Sequence, residues 1–342
     1  MIRRDNALQA SGPSLRRRVL PGLAAAALLA PAAGHARVPV AWRDEWPRTD
    51  FDRSIVDLAE IRSGGPPRDG IPPIDDPRFV SLAEVGGLDA HEPVLSLVLE
   101  GEARAYPLRV LIWHEIVNDR LGDLPVAVTY CPLCNTGFVF DRRHDGLLLD
   151  FGTTGKLRHS DLVMYDRQTE SWWQQYGGLA IVGSLAGARL REIPARLEGL
   201  DAFRERAPHG LVLVPGDPGL RPYGTNPYAG YDEAPRPFLF DGEPPPAGVE
   251  PMMRVVAVGA QAWALPLLRA RGRIEADGLV LSWRPGQRSA LGHAWIPSAA
   301  DVGNVVVQRD GQDVAHAIPF AFAFFAFQPE GVLHTEGGAR GR

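Results

Sequence analysis

The sequence predicts a β-rich α+β fold, with mixed or antiparallel sheets and short helices, and three observations predict it. From Pro93 onward, short runs rich in Val, Leu, Phe and Tyr are separated by turn signals such as Glu100-Gly101-Glu102 and Asp145-Gly146. Only one segment, 108–121, reads as a helix, and Gly122 ends it. Two stretches, 37–78 and 215–251, are too rich in Pro and Gly for regular structure.

Taken in order, the first 36 residues have the layout of a secretory signal peptide. Arg16, Arg17 and Arg18 give a positive start, 20–33 is an apolar stretch, and Gly34-His35-Ala36 puts small residues around a cleavage point after Ala36. The stretch is shorter than the roughly 20 residues a membrane-spanning helix needs. The later apolar run 315–327 is shorter still and carries His316 and Pro319. Arg16-Arg17-Arg18-Val19-Leu20 also fits the twin-arginine pattern, which exports proteins already folded, whereas a plain leader has arginines too. Either route implies the periplasm and no stable membrane insertion after cleavage.

Residues 37–92, with Ile71-Pro72-Pro73-Ile74-Asp75-Asp76-Pro77, are expected to form an arm and loop without a helix. A first half, 93–214, holds strands at 94–99 and 103–106, the helix at 108–121, and strands at 126–130, 138–141, 147–151, 162–165 and 179–182. The 215–251 stretch is a long loop, 252–330 a second half, and 331–342 a flexible tail. A weak internal repeat links the halves. Ala103-Arg104-Ala105-Tyr106-Pro107-Leu108 resembles Ala262-Trp263-Ala264-Leu265-Pro266-Leu267, and the strand entering Cys131-Pro132 resembles the one entering Arg284-Pro285. The second copy would lack cysteines.

Charge narrows the partners. The leader's five arginines and one aspartate leave 31 basic and 40 acidic residues of the chain's 36 and 41, a net of −9. That argues against nucleic acid or an anionic membrane surface. A protein partner in the envelope stays open.

Chemistry concentrates at Cys131-Pro132-Leu133-Cys134, the chain's only cysteines, in a turn between strands that aims both sulfurs to one side. A closed four-cysteine site is excluded within one chain, but a mixed site with histidine is not. Thiolate and imidazole suit copper or zinc. A structural disulfide and a redox pair are the alternatives, although a redox Cys-X-X-Cys usually opens a helix. Just upstream, Trp113-His114-Glu115-Ile116-Val117-Asn118-Asp119 would place His114 with Asn118, and Glu115 with Asp119, on helix faces. His114 there is a candidate ligand or base, or simply part of an acidic helix end. In Phe151-Gly152-Thr153-Thr154-Gly155-Lys156-Leu157-Arg158-His159-Ser160-Asp161, the glycines do not have phosphate-loop spacing. They read as a tight turn exposing Lys156, the only lysine, and His159. Met164, Asp166, Arg167, Trp172 and Trp173 complete the set, with Met164 a weak soft-ligand candidate and the tryptophans lining a pocket or packing.

Together these motifs resemble one family. Gly70-Ile71-Pro72-Pro73-Ile74-Asp75-Asp76-Pro77, His114-Glu115 with Asn118-Asp119, Tyr130-Cys131-Pro132-Leu133-Cys134-Asn135-Thr136, Phe151-Gly152 with Gly155-Lys156-Leu157, Asp166-Arg167 with Thr169 and Ser171-Trp172, and Gly286-Gln287 with Ser289-Ala290 are similar to a bacterial and archaeal family of exported proteins known only as a domain of unknown function, number 3179. The resemblance implies no activity. It implies that these motifs travel together, as a shared site would.

The preferred expectation is a copper or zinc site made by Cys131, Cys134 and His114, with His159 as fourth ligand. Glu115, Asn118, Asp119, Asp166 and Arg167 would orient those ligands. A second is thiol chemistry, with Cys131 as nucleophile and His114 or Lys156 lowering its pKa. A third is a non-catalytic envelope protein stapled by a disulfide.

Overall fold

The computed structural model describes residues 38–99 and 101–342. The segment in which the leader and its export signals are expected lies outside them. The described chain is built from five small, mainly antiparallel sheets of three to five strands in a propeller-like arrangement, with a further two-stranded ribbon, Arg143–His144 with Leu147–Leu148, and helices of at most seven residues. Three of the sheets position the cysteine turn.

The first is a meander of Ile116–Leu121, Leu124–Cys131 and Thr136–Asp141. Its middle strand, Leu-Pro-Val-Ala-Val-Thr-Tyr-Cys, is buried at every position after Leu124. A run this apolar, broken only by Thr129, whose hydroxyl donates to Phe138 O at 3.0 Å, is what a strand covered on both faces requires. The second sheet orders Ile61–Ser63, Phe151–Arg158, Asp161–Asp166, Trp172–Gln174 and Leu179–Val182. In the third, Val255–Val258 pairs with Gln261–Ala264, which runs parallel to Val332–Thr335. One large core joins these sheets, and the short helix Ala321–Phe327 drives Phe322, Phe324 and Phe325 into it. The apolar run at 315–327 is therefore core, and no helix among the described residues is long and apolar enough to cross a membrane.

Several expectations change. The helix foreseen at 108–121 is the seven-residue Leu108–His114, and Ile116–Leu121 is a strand. Ile116 and Val117 are β-branched, and pairing of Ile116 with Thr129 and Val117 with Val128 outweighs continuation of the helix. His114 and Asn118 thus do not share a helix face. The 37–92 arm does contain a helix, Val40–Glu45, and its Trp42 and Trp46 pack with Phe51 against Trp172. The stretch read as a flexible tail carries the strands Val332–Thr335 and Gly338–Arg340, paired with each other.

One succession of elements occurs twice. The hairpin Pro93–Leu99/Glu102–Pro107 leads into Leu108–His114 and then the cysteine-bearing meander. The hairpin Val255–Val258/Gln261–Ala264 leads into Leu265–Arg271 and then a meander of Arg273–Ala276, Leu279–Arg284 and Asn304–Arg309. Both helices end alike. Glu115 (φ 60°, ψ −30°) donates its amide to Leu111 O at 2.7 Å. Gly272 (φ 68°, ψ −32°) donates its amide to Leu268 O at 2.8 Å.

Candidate metal centre

The cysteine turn closes the hairpin in which Cys131 faces Thr136 and Tyr130 faces Gly137. Asn135 takes the left-handed conformation, φ 54°, that a short side chain tolerates. Its amide donates to Pro132 O at 3.2 Å, its side-chain nitrogen to Ile318 O at 2.6 Å, and its side-chain oxygen accepts from the Tyr130 hydroxyl at 3.2 Å. Phe320 N donates to Cys134 O at 3.0 Å, so the second half of the chain braces the turn. Both thiols are free and fully buried.

A third residue meets them. The strands Phe151–Arg158 and Asp161–Asp166 are joined by a two-residue turn, His159-Ser160, in which both φ values are positive, at 51° and 69°. Such a turn matches the twist of a hairpin. It delivers Asp161 to the thiols: the donor atoms of Cys131, Cys134 and Asp161 all lie within 4.8 Å of one another, a group that could hold a metal ion. Asp161 is fixed by Gln174 Nε2 at 2.5 Å and Tyr176 N at 2.9 Å, both donating to its Oδ2. Tyr176 in turn stacks on Phe327, which seals this side.

The electrostatics are one-sided. Burial pushes the Cys131 thiol up and the Cys134 thiol far above the ordinary range. Burial also raises Asp161 to about 6, against the pull of hydrogen bonds from Tyr176, Gln174 and the thiols. Glu115 is raised to about 8, by burial and then by the charge of Asp161. The leading influences on these four groups are burial, one another and hydrogen bonds within the site; none is a cation. Uncompensated acids in a low-dielectric interior are costly, and clusters of them with perturbed pKa values mark functional sites.

Glu115 sharpens the point. It is 7% exposed, its carboxylate is in none of the hydrogen bonds among the described residues, and it stands in the backbone conformation that Gly272 takes after the other helix. A left-handed residue with a side chain costs about 1–2 kcal/mol relative to glycine. Such strain, together with a carboxyl that no group among the described residues partners, fits a residue kept for its chemistry.

The other expected residues are engaged elsewhere. Both ring nitrogens of His114 are taken, Nδ1 by Pro72 O and Nε2 by Tyr223 Oη, each at 2.8 Å. His159 sits in the adjacent turn, but its ring lies between Phe240 and Phe327 with Nε2 3.4 Å from Glu60, outside the ligand group. Lys156 is not exposed by its glycines. It is buried, with Nζ 2.9 Å from Glu45 Oε2 and 3.3 Å from Thr154 O, and it anchors the N-terminal helix rather than activating Cys131. Asn118 bridges Asp75 and the Phe151 backbone. Asp119 binds Arg104 and Tyr106. Asp166 caps the turn to Thr169 and accepts from Trp173 Nε1 at 2.9 Å, and Arg167 pairs with Asp75 at 2.9 Å. These residues frame the fold. Of the expected orienting residues, Glu115 is the one coupled to the site: its charge acts on Cys131, and that of Asp161 acts on it. Met164, Trp172 and Trp173 are packed in the core. Asp161 falls within the segment singled out from the sequence but has no role assigned there, because it lies 27 residues from Cys134 and only its position after a turn distinguishes it.

A family model described as "Protein of unknown function (DUF3179)" matches residues 68–331. No curated protein and no solved structure matches the chain. The matched span takes in the cysteine turn, Glu115, Asp161 and the bracing second half, and the chain belongs to this family of proteins of unknown function.

Proposed function

We propose that this chain is an exported periplasmic protein that binds one zinc ion through Cys131, Cys134 and Asp161, with Glu115 beside the remaining position. The observation that carries this reading is the fully buried ligand group, its donor atoms within 4.8 Å of one another and no cation among the leading influences on it. A divalent ion supplies the missing positive charge and holds both thiols as thiolates. Zinc accepts thiolate and carboxylate oxygen together, whereas copper(I) prefers an all-sulfur or sulfur–nitrogen set, so the carboxylate favours zinc over copper. Three protein ligands leave one position of a tetrahedral ion for water or a substrate atom. Glu115 is suited to accept a proton there.

The thiol-redox reading fares worse. A reactive thiol needs a lowered pKa, and burial moves both of these the other way. A disulfide staple is not supported by two free thiols. Export rests on the leader pattern of 1–36, by the general or the twin-arginine route. The repeated hairpin–helix–meander succession, with matching helix ends at Glu115 and Gly272, supports two related halves, of which only the first keeps a site.

Cobalt(II), a spectroscopic stand-in for zinc, tests the ligand set. Reduced protein titrated with cobalt is expected to develop thiolate-to-metal charge-transfer absorption that saturates at one equivalent and is bleached by zinc. Asp161→Asn replaces an anionic ligand with a neutral amide and is expected to weaken cobalt by at least about a hundredfold, the upper end of what disturbing a ligand's surroundings alone costs. Absence of a thiolate band at any cobalt concentration would sink the proposal.

A further inference from the structure

The geometry points to a second ligand site, remote in kind from the cysteines: we infer that the cavity between the 85–88 turn, the helix Leu108–His114 and the 213–223 loop binds a small monocarboxylate with an aliphatic body. The cavity holds about 360 Å³, within the range of small-molecule sites. Its walls are largely apolar, from Val85, Leu88, Val110, Leu213, Pro218 and Pro222.

Arg221 also lines it. Its guanidinium makes no hydrogen bond and no ion pair among the described residues, and its Nε is buried without a partner. The other polar groups of the cavity are already satisfied. Arg109, across from it, is clamped by Glu92, Nε to Oε1 at 2.7 Å and Nη2 to Oε2 at 2.6 Å. The Tyr223 hydroxyl is held by His114 Nε2 at 2.8 Å. One uncompensated planar fork in an apolar chamber selects its ligand. A carboxylate satisfies the fork with two parallel hydrogen bonds. The remaining walls offer burial to carbon and nothing to further charges, which disfavours phosphate and sulfate. A cationic ligand is repelled by Arg221.

This site does not depend on the zinc reading, and its test needs no metal. Hexanoate, acetate and hexylamine are titrated calorimetrically into the full chain at constant ionic strength. Hexanoate is expected to bind saturably at one per chain, acetate at least about tenfold more weakly because it buries less carbon, and hexylamine not at all. Arg221→Gln is expected to weaken hexanoate at least about tenfold by removing a charge-assisted pair. Gly86→Trp is aimed at the cavity by a different route: Gly86 lines it, and a Cβ there meets no heavy atom within 4 Å, so the side chain starts without a clash. It too should weaken hexanoate at least about tenfold, while Arg120→Gln, on an exposed arginine paired with Asp123, should leave binding unchanged. Melting without ligand checks that each variant is folded. No saturable hexanoate binding by the parent chain, or binding that survives intact in folded Arg221→Gln or Gly86→Trp, would overturn the inference.

Discussion

A Cys131→Ser/Cys134→Ser chain is expected to lose zinc affinity by three orders of magnitude or more, roughly 4 kcal/mol or beyond. Serine keeps the volume and can still donate to Asp161, but its hydroxyl does not ionise near neutral pH. Two thiolates vanish from a set of three protein ligands, leaving a lone carboxylate that the solvent outcompetes. Competition with a chromophoric chelator measures the affinity, and circular dichroism checks the fold. The stability change should follow the metal. With free zinc at 100 to 1,000 times Kd, the parent chain gains about 3–4 kcal/mol that the double variant cannot. In the presence of a strong chelator the two should melt at similar temperatures. Equal zinc affinity in parent and double variant would remove the cysteines from the site.

Gly155→Ala is expected to be among the most destabilising single-methyl additions in the chain, at about 3–4 kcal/mol. Gly155 has φ +67°, and a Cβ there would lie 1.9 Å from Pro66 O and 2.9 Å from the Pro66 carbonyl carbon, both backbone atoms. The contact is close because the 64–71 loop is laced to this strand. Gly64 N donates to Gly155 O at 2.8 Å, Asp69 N to Thr153 O at 2.9 Å, and the Thr153 hydroxyl to Ile71 O at 2.8 Å. The strand also shifts register between Thr153 and Lys156, and that bulge turns Lys156 inward to Glu45. An alanine therefore meets both left-handed strain and a wall that cannot yield. Gly146→Ala is the control: φ is +80° but no atom lies within 4 Å, so only the conformational term of about 1 kcal/mol should appear. Urea unfolding of both variants tests this, and similar losses for the two would show that the loop gives way.

What could be read from the chain depended on how local the cause was. The hairpin across Gly101 and the strands flanking the cysteine turn are written in contiguous residues, and they form Pro93–Leu99, Glu102–Pro107, Leu124–Cys131 and Thr136–Asp141. The helix–strand break at Glu115 is not local. It is decided by the pairing of Ile116 with Thr129, thirteen residues on, while the residue at the break is a glutamate where a glycine would have announced it. The same break undid the ligand set. A helix through 118 would have grouped His114 with Asn118, whereas the turn sends His114 to Tyr223 of a distant loop and leaves Glu115 buried where its charge acts on Cys131. Asp161 entered the site only through a hairpin whose register no spacing rule contains. The buried Lys156 was misread because its partner, Glu45, lies 111 residues away.

The most direct measurement is the metal content of the purified protein, by elemental analysis beside the Cys131→Ser/Cys134→Ser chain. One zinc per parent chain, absent from the double variant, is the predicted result. A parent chain free of metal, and still free of it after dialysis against zinc with its thiols reduced, would contradict the account.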